Sequence, residues 1–474
     1  MRKLKICLLL MIFGTSQALA LDSFAPIVDK SLPAVVNIST TQKITSPNLP
    51  IAPDMDLDKQ QQLEKFLERF GFPMQGMEGI EREVQSLGSG FVIDPTGYVV
   101  TNNHVIAEAT KIIVTFSNDR KLEAKVVGRD AKTDLALLKV ESAQPLPYVE
   151  FGNSETMKVG DWVIAIGNPF GLGSTVTAGI ISARSRNINA GPFDDFIQTD
   201  AAINRGNSGG PMFNQNGEVI GVNTAIFSPS GGSVGIGFAI PTSLAKPILD
   251  QLRLHGRAYR GWLGVKIQHV TEEIAESLAL PEPAGALILE ITKDGPAAKS
   301  GLQNGDVILQ FDGKDVREMH NLPRLVAETP IGKQVELIIW RTGQKMSISL
   351  SLGEYPEEVK EAQIDVPAIT NKQNAGEKLL GMNLATLDAN NAKSIRGANK
   401  LKGVLVIAVA NDSEAAQRSI SEGDIILGVN QVNITTLDEL KAENAKAKIA
   451  KREYVLVRVW RAGDSSYITL PVDK

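Results

Sequence analysis

Between Leu87 and about Ile240 the chain alternates short apolar runs with glycine-rich turns, at Gly90–Ile93, Tyr98–Val100, Lys111–Phe116, Leu135–Val140, Trp162–Ile166, Val219–Val222 and Gly235–Ile240. Short runs rich in Val, Ile and Phe and bounded by turn residues read as strands, and no helical period separates them. The pattern predicts an antiparallel barrel or sandwich. An earlier run, Ala34–Ser39, joins the same unit across an insertion at about 44–86. The insertion opens on Pro47, Pro50 and Pro53 and then sets Leu63, Phe66, Leu67 and Phe70 at helical spacing, which predicts a long loop carrying a short amphipathic helix. Loops of such length are either unstructured or functional.

Beyond Arg260 the pattern becomes an internal repeat. Leu263–Ile267 returns as Leu380–Leu384, Gly285–Leu289 as Gly403–Ile407, Gly305–Leu309 as Gly423–Leu427, and Trp340-Arg341 as Trp460-Arg461. Landmarks kept in order and at nearly constant separation mean two copies of one small β-rich domain. The charged segment 354–378, with Pro356 and Pro367, reads as the linker between them. Length agrees: 474 residues at ~150 per domain suggest about three domains.

The N-terminus differs from the rest. Arg2, Lys3 and Lys5 precede the apolar run Ile6–Phe13, and Ala18-Leu19-Ala20 offers a cleavage site, so residues 1–20 read as a signal peptide and the mature chain as starting at Leu21. The run is too short to span a bilayer, which takes ~20 apolar residues, and no later segment is long and apolar enough. The single cysteine, Cys7, lies in this leader, which leaves the mature chain no disulfide, thiol nucleophile or thiolate ligand. Four histidines, His104, His255, His269 and His320, form no H-E-x-x-H pair, so no metal or other cofactor is expected. A net charge of −5 without a basic block argues against nucleic acid as a partner.

One turn stands out chemically. In Asn204–Pro211 a serine, Ser208, is flanked by Gly206, Gly209 and Gly210, which free the backbone to expose a hydroxyl and to aim N–H groups at a developing oxyanion. A serine hydroxyl needs a base, and in this β domain only His104 offers an imidazole, in a loop just past the run Tyr98–Val100. A third group must hold the imidazole tautomer. On the residues alone Asp119, Asp130, Asp134, Asp161, Asp194, Asp195 and Asp200 all qualify.

The stretches Gly88–Ile93, Thr101–Ile106, Thr133–Lys139, Ala165–Phe170, Gln198–Asn204 and Gly206–Pro211, in this order, resemble the HtrA family of serine proteases, in its bacterial periplasmic DegP/DegQ branch. With the repeats, the resemblance covers nearly all of the mature chain. It implies a mainly β protein with a chymotrypsin-like double β-barrel protease domain (21–255), a PDZ domain (256–353), the linker and a second PDZ domain (379–474). It implies a triad of His104, Asp134 and Ser208, in the chain order of chymotrypsin-like enzymes, and an oxyanion hole from the N–H groups of Gly206 and Ser208. Substrate would meet Ile203, Gly206, Asn207, Thr224, Ala225, Ile226, Phe227 and Ser228, with Ile203 and Ile226 leaving a small apolar slot suited to cleavage after Val, Ile, Ala or Leu.

Arg260–Gly264 resembles the carboxylate-binding loop that opens a PDZ domain, so Gly261, Leu263, Gly264, Val265, Lys266 and Ile267 are expected to bind a hydrophobic C-terminal peptide by strand addition. The second copy keeps less of this loop at Leu379–Gly381, and a structural role is expected there. The insertion and Ala183–Ile188 resemble the family's regulatory loops, with Arg186, or Arg184 on a two-residue shift, as relay. The expected function is ATP-independent degradation of unfolded exported polypeptides in the periplasm by trimers or assemblies of trimers. A chaperone or PDZ scaffold with secondary proteolysis, and a dedicated regulatory protease, are the alternatives.

Overall fold

The computed structural model describes residues 23–45, 81–168, 174–188, 190–204, 206–228, 232–356, 376–389, 391–395 and 397–472. The leader at 1–20, the apolar stripe of the insertion and most of the linker lie outside these residues. The described chain divides into two compact units. One runs to Arg186 and resumes at Asp195–Gly256; the other comprises Asn187–Asp194 and everything from Arg257.

The first unit holds two closed six-stranded antiparallel barrels. The first barrel is built from β1 (Val35–Thr45), β2 (Glu81–Val92), β3 (Tyr98–Asn102), β4 (Lys111–Thr115), β5 (Lys121–Asp130) and β6 (Leu135–Val140). The second uses β7 (Trp162–Gly167), β8 (Thr175–Arg186), β9 (Phe196–Thr199), β10 (Pro211–Phe213), β11 (Val219–Ile226) and β12 (Gly237–Pro241). Closure leaves no free sheet edge. β4 alternates buried and less buried positions, whereas β6 buries nearly every residue. The reason is helix α3 (Thr242–His255), which packs on β5, β6 and β11 through a face that includes Ala245, Ile248 and Leu249. α3 stops at Gly256, whose φ of +74° lets its N–H return to the Leu252 carbonyl at 2.9 Å. Two short helices precede it, α1 (Ala25–Ser31) and α2 (Asn103–Ile106).

The ladder β1·β2 continues to the pair Thr45 and Glu81, so the excursion between these strands starts later and ends sooner than the apolar pattern suggested. Backbone pairing does not require apolar side chains, and the pattern fades before the ladder does.

In the second unit the first small domain contains β13 (Gly261–Trp262), β14 (Val265–His269), β15 (Ala286–Ile291), β16 (Val307–Phe311), β17 (Lys314–Asp315), β18 (Gln334–Arg341), β19 (Gln344–Ser351) and β20 (Gly353–Glu354), with helices α4 (Glu272–Ser277) and α5 (Asn321–Ala327). The second repeats it as β21 (Glu377–Leu379), β22 (Met382–Thr386), β23 (Val404–Val409), β24 (Ile425–Val429), β25 (Val432–Asn433), β26 (Tyr454–Arg461) and β27 (Asp464–Pro471), with α6 (Glu414–Gln417) and α7 (Leu437–Ile449). Two of the repeated landmarks meet in space. Arg341 Nε and Nη2 each lie 2.6 Å from the carboxylate of Asp306, and Arg461 repeats both contacts on Asp424. Both carboxylates are 1% exposed, and each accepts a backbone N–H as well, from Gln303 or Ser421. A buried carboxylate needs such a bidentate partner, which explains why the Gly-Asp and Trp-Arg landmarks travel together.

Candidate functional site

β3 ends at Asn102, and α2 lifts His104 out of the first barrel beside the β5–β6 turn. In that turn Asp134 takes φ +55°, a left-handed conformation that Asp tolerates better than most residues. Local hydrogen bonds hold it there: the Asp134 carbonyl accepts the Asn103 N–H (3.1 Å) and Asn102 Nδ2 (2.8 Å). Its carboxylate then grips His104 twice, accepting the backbone N–H at Oδ1 (2.8 Å) and facing ring Nδ1 at Oδ2 (2.6 Å). A carboxylate can only accept, so Nδ1 carries the proton and Nε2 is left as the basic nitrogen. Other aspartates raised by the sequence are engaged elsewhere: Asp130 with Thr133, Asp161 with the Lys158 N–H, Asp200 with the Ile180 N–H and Asp194 with N–H groups of Ile188 and Ala190.

The serine turn belongs to the second barrel but is held by the first. Gly206 and Gly209 have φ of +105° and +85°, and a side chain at Gly209 would run into the Ser89 carbonyl and the Thr101 hydroxyl. Ser208 is partly exposed between buried neighbours. Ser89, on β2 and fully buried, clamps the turn at both ends. Its N–H donates to the Ser208 carbonyl (2.9 Å), and its hydroxyl donates to the Gly206 carbonyl (2.5 Å) while accepting the Asn168 N–H (2.8 Å). The other end of the Gly206–Asn207 peptide is fixed by Asn207 N–H to the Asn204 carbonyl (3.0 Å). Sequence reasoning quoted Gly88-Ser89-Gly90 without giving Ser89 a role. The signal available was its two flanking glycines, which the first barrel requires: a Cβ at Gly88 would meet Val105, and one at Gly90 would meet Ile38 and the Val100 carbonyl.

Of the expected substrate residues, Thr224, Ala225 and Ile226 end β11, and Phe227 is well exposed. Thr224 Oγ1 accepts Asn102 Nδ2 (3.0 Å), which ties that strand to the residue supporting Asp134. Ile203 is 1% exposed inside the core of the second barrel, with Ile226 packed against the same cluster. Arg186 donates to Gln198 Oε1 (3.0 Å), and Arg184 pairs with Glu155. In the second unit Gly261–Ile267 and α5 residues Leu322, Pro323 and Val326 border a cavity of about 820 Å³. Among the described residues no group of His, Cys, Asp or Glu could hold a metal ion, and no helix is long and apolar enough to cross a membrane.

Comparison with known proteins agrees with this geometry. Residues 88–222 match the trypsin-like peptidase domain, and 261–352 and 369–457 each match a PDZ domain. A Rhizobium meliloti (strain 1021) protein named "Probable periplasmic serine endoprotease DegP-like" is 41% identical over 96% of this chain and 93% of its own length. A protein of the same name from Pseudomonas fulva (strain 12-X) is 43% identical over 95% and 93%. The chain belongs to the DegP-like HtrA serine endoproteases. A solved HtrA-type protease, AlgW with decapeptide, shares 42% identity, covers 71% of this chain and all of its own, and superimposes with a TM-score of 0.58; a second AlgW structure, with tripeptide, gives the same score. Like its HtrA relatives, the chain is a serine endopeptidase in which the double barrel is followed by two PDZ domains, PDZ1 and PDZ2.

Proposed function

We propose that the chain degrades unfolded exported polypeptides in the periplasm, with Ser208 as nucleophile, His104 as general base and Asp134 as the group that orients it. The reading is carried by the double grip of one carboxylate on His104, at 2.8 and 2.6 Å, which directs the Nδ1 proton to Asp134 and makes Nε2 the nitrogen that can accept one. Nε2 takes the Ser208 proton as the hydroxyl oxygen attacks the peptide carbonyl carbon. The charge that moves to the carbonyl oxygen is met by the N–H groups of Gly206 and Ser208, and the imidazolium by Asp134. Collapse of the intermediate passes the proton from Nε2 to the leaving amine, and water repeats the sequence on the acyl-enzyme. Residues Thr224–Ser228 would align the substrate, with Ile203 and Ile226 favouring small and medium apolar side chains before the cut. The PDZ1 cavity would receive hydrophobic C-termini, and Arg186 would carry its occupancy toward the serine turn in a trimer.

The test is digestion of unfolded casein by the native chain and by Ser208→Ala, with and without a peptide that ends in hydrophobic residues. Cleavage that vanishes in Ser208→Ala and rises with peptide supports the reading. Equal, negligible cleavage by both sinks it in favour of a chaperone or scaffold.

A further inference from the structure

The two PDZ domains use the strand ahead of the carboxylate-binding loop in opposite ways. In PDZ1 this strand, β13, pairs with β20, Gly261 opposite Glu354 and Trp262 opposite Gly353, which leaves β14 at the edge of its sheet. In PDZ2 the corresponding strand, β21, folds straight back. Leu380 and Gly381, at φ +53° and +75°, make a two-residue turn, and Glu377, Lys378 and Leu379 lie opposite Leu384, Asn383 and Met382. β21 thus runs antiparallel to β22 and toward the loop, along the edge and in the direction that a C-terminal peptide takes in strand addition. Leu379 packs on the PDZ2 core, and the Glu377 carboxylate pairs with Lys441 on α7, the helix that matches α5.

Another surface of PDZ2 is committed to PDZ1. Along β14, Val265 and Ile267 pack on the core beside the cavity, while Lys266 and Gln268, one step out of phase, reach PDZ2. Lys266 Nζ lies 2.5 Å from Asp464. The Gln268 amide donates to the Tyr467 carbonyl (2.9 Å) and accepts the Tyr467 N–H (3.0 Å), closing a ring with both backbone groups of this one residue of β27. The Tyr467 ring and Leu456 are buried among Val270, Ile274, Leu278 and Leu289 of PDZ1, and burial pushes the Tyr467 phenol up to about 12. Gln431 bridges the Gly305 carbonyl (2.5 Å) and the Thr342 N–H (2.7 Å), and Arg418 pairs with Glu273.

We propose that PDZ2 is not a second receptor for chain ends but a brace for the ligand strand of PDZ1, so that each chain has one C-terminus site whose affinity depends on PDZ2 docking. This rests on the reading of PDZ1 as the peptide receptor. A strand anchored from behind loses less freedom when a peptide pairs with its edge, and that saving appears as affinity.

The full-length chain with Ser208→Ala is titrated calorimetrically with a decapeptide ending in three valines and with its C-terminal amide. One acid peptide binds per chain, and the amide does not. Gln268→Glu keeps the side chain's size but turns the donor facing the Tyr467 carbonyl into an acceptor, and it removes no apolar contact. It and Tyr467→Ala each weaken binding about 5- to 20-fold at unchanged stoichiometry. Hydrogen exchange at β14 quickens in both, while β26 stays protected in Gln268→Glu. Two peptides per chain, or unchanged affinity in both variants, overturns the brace. Failure of the Ser208→Ala chain to bind the acid, or binding indifferent to a further Leu263→Arg, overturns the PDZ1 reading beneath it.

Discussion

Removing the Ser89 hydroxyl should slow peptide hydrolysis while leaving substrate capture intact. The hydroxyl is the bond that pins the Gly206 carbonyl, and through it the Gly206–Asn207 peptide, against β2. In Ser89→Ala that peptide keeps only its Asn207 N–H contact to Asn204, so the adjoining N–H of Gly206 is free to swing away from the oxyanion. Outright loss of one oxyanion donor costs about a hundred- to a thousandfold in kcat. Ser89 acts by positioning a donor that is still present, so about a 10- to 100-fold fall in kcat is expected, or ~1.4–2.7 kcal/mol of transition-state stabilisation. KM should move by less than about twofold, because the substrate touches none of the atoms removed. Stability falls as well: the buried Asn168 N–H loses its acceptor, at a cost of about 1–3 kcal/mol. The assay is steady-state cleavage of a quenched-fluorescence peptide, with a melting curve to confirm the fold. An unchanged kcat would refute the argument, as would a rise in KM that accounts for the whole loss.

Asp134→Asn preserves shape but lets an amide N–H face Nδ1, favouring the wrong tautomer; kcat should fall about ten-thousandfold in the same assay. Arg341→Leu strands the buried Asp306 carboxylate and should destabilise PDZ1 by about 3–5 kcal/mol in urea unfolding, whereas the double variant with Asp306→Leu recovers much of it. Glu273 is held below its ordinary value of 4.5 by hydrogen bonds from Arg418 and then Thr469. A depressed carboxylate contributes fully above that value and is lost as pH falls through the folded one. The contact of PDZ2 with PDZ1 should therefore weaken, by the share of this one partly exposed ion pair, as pH falls below 4.5, read as faster hydrogen exchange at β27, and Glu273→Gln should flatten that dependence.

The strands and the repeat were legible because they rest on local patterns: Val-rich runs between glycines, and landmarks that recur since Asp306 with Arg341, and Asp424 with Arg461, each form one contact. Asp134 was beyond residue-level reasoning. What separates it from Asp130 or Asp200 is the approach of the β5–β6 turn to α2, a long-range event, and only family resemblance singled it out. Ser89 escaped for a similar reason, as the serine turn it clamps lies more than a hundred residues away on another barrel. The closed edge of PDZ2 turns on where three residues pair. Glu377–Leu379 could equally have met a C-terminal strand, as Gly261-Trp262 does, and neither option leaves a hydrophobic signature.

That closed edge bears on survival among the substrates. On the proposed function, the enzyme works amid extended segments whose unpaired N–H and C=O groups seek any exposed strand. Each uncovered edge on the enzyme is a place where a client could seed a growing sheet and trap it in an aggregate. Pairing β21 onto β22 moves the free edge of that sheet outward to β21 and takes the groove of the second PDZ domain from clients, while the edge of β14 stays open for recognition.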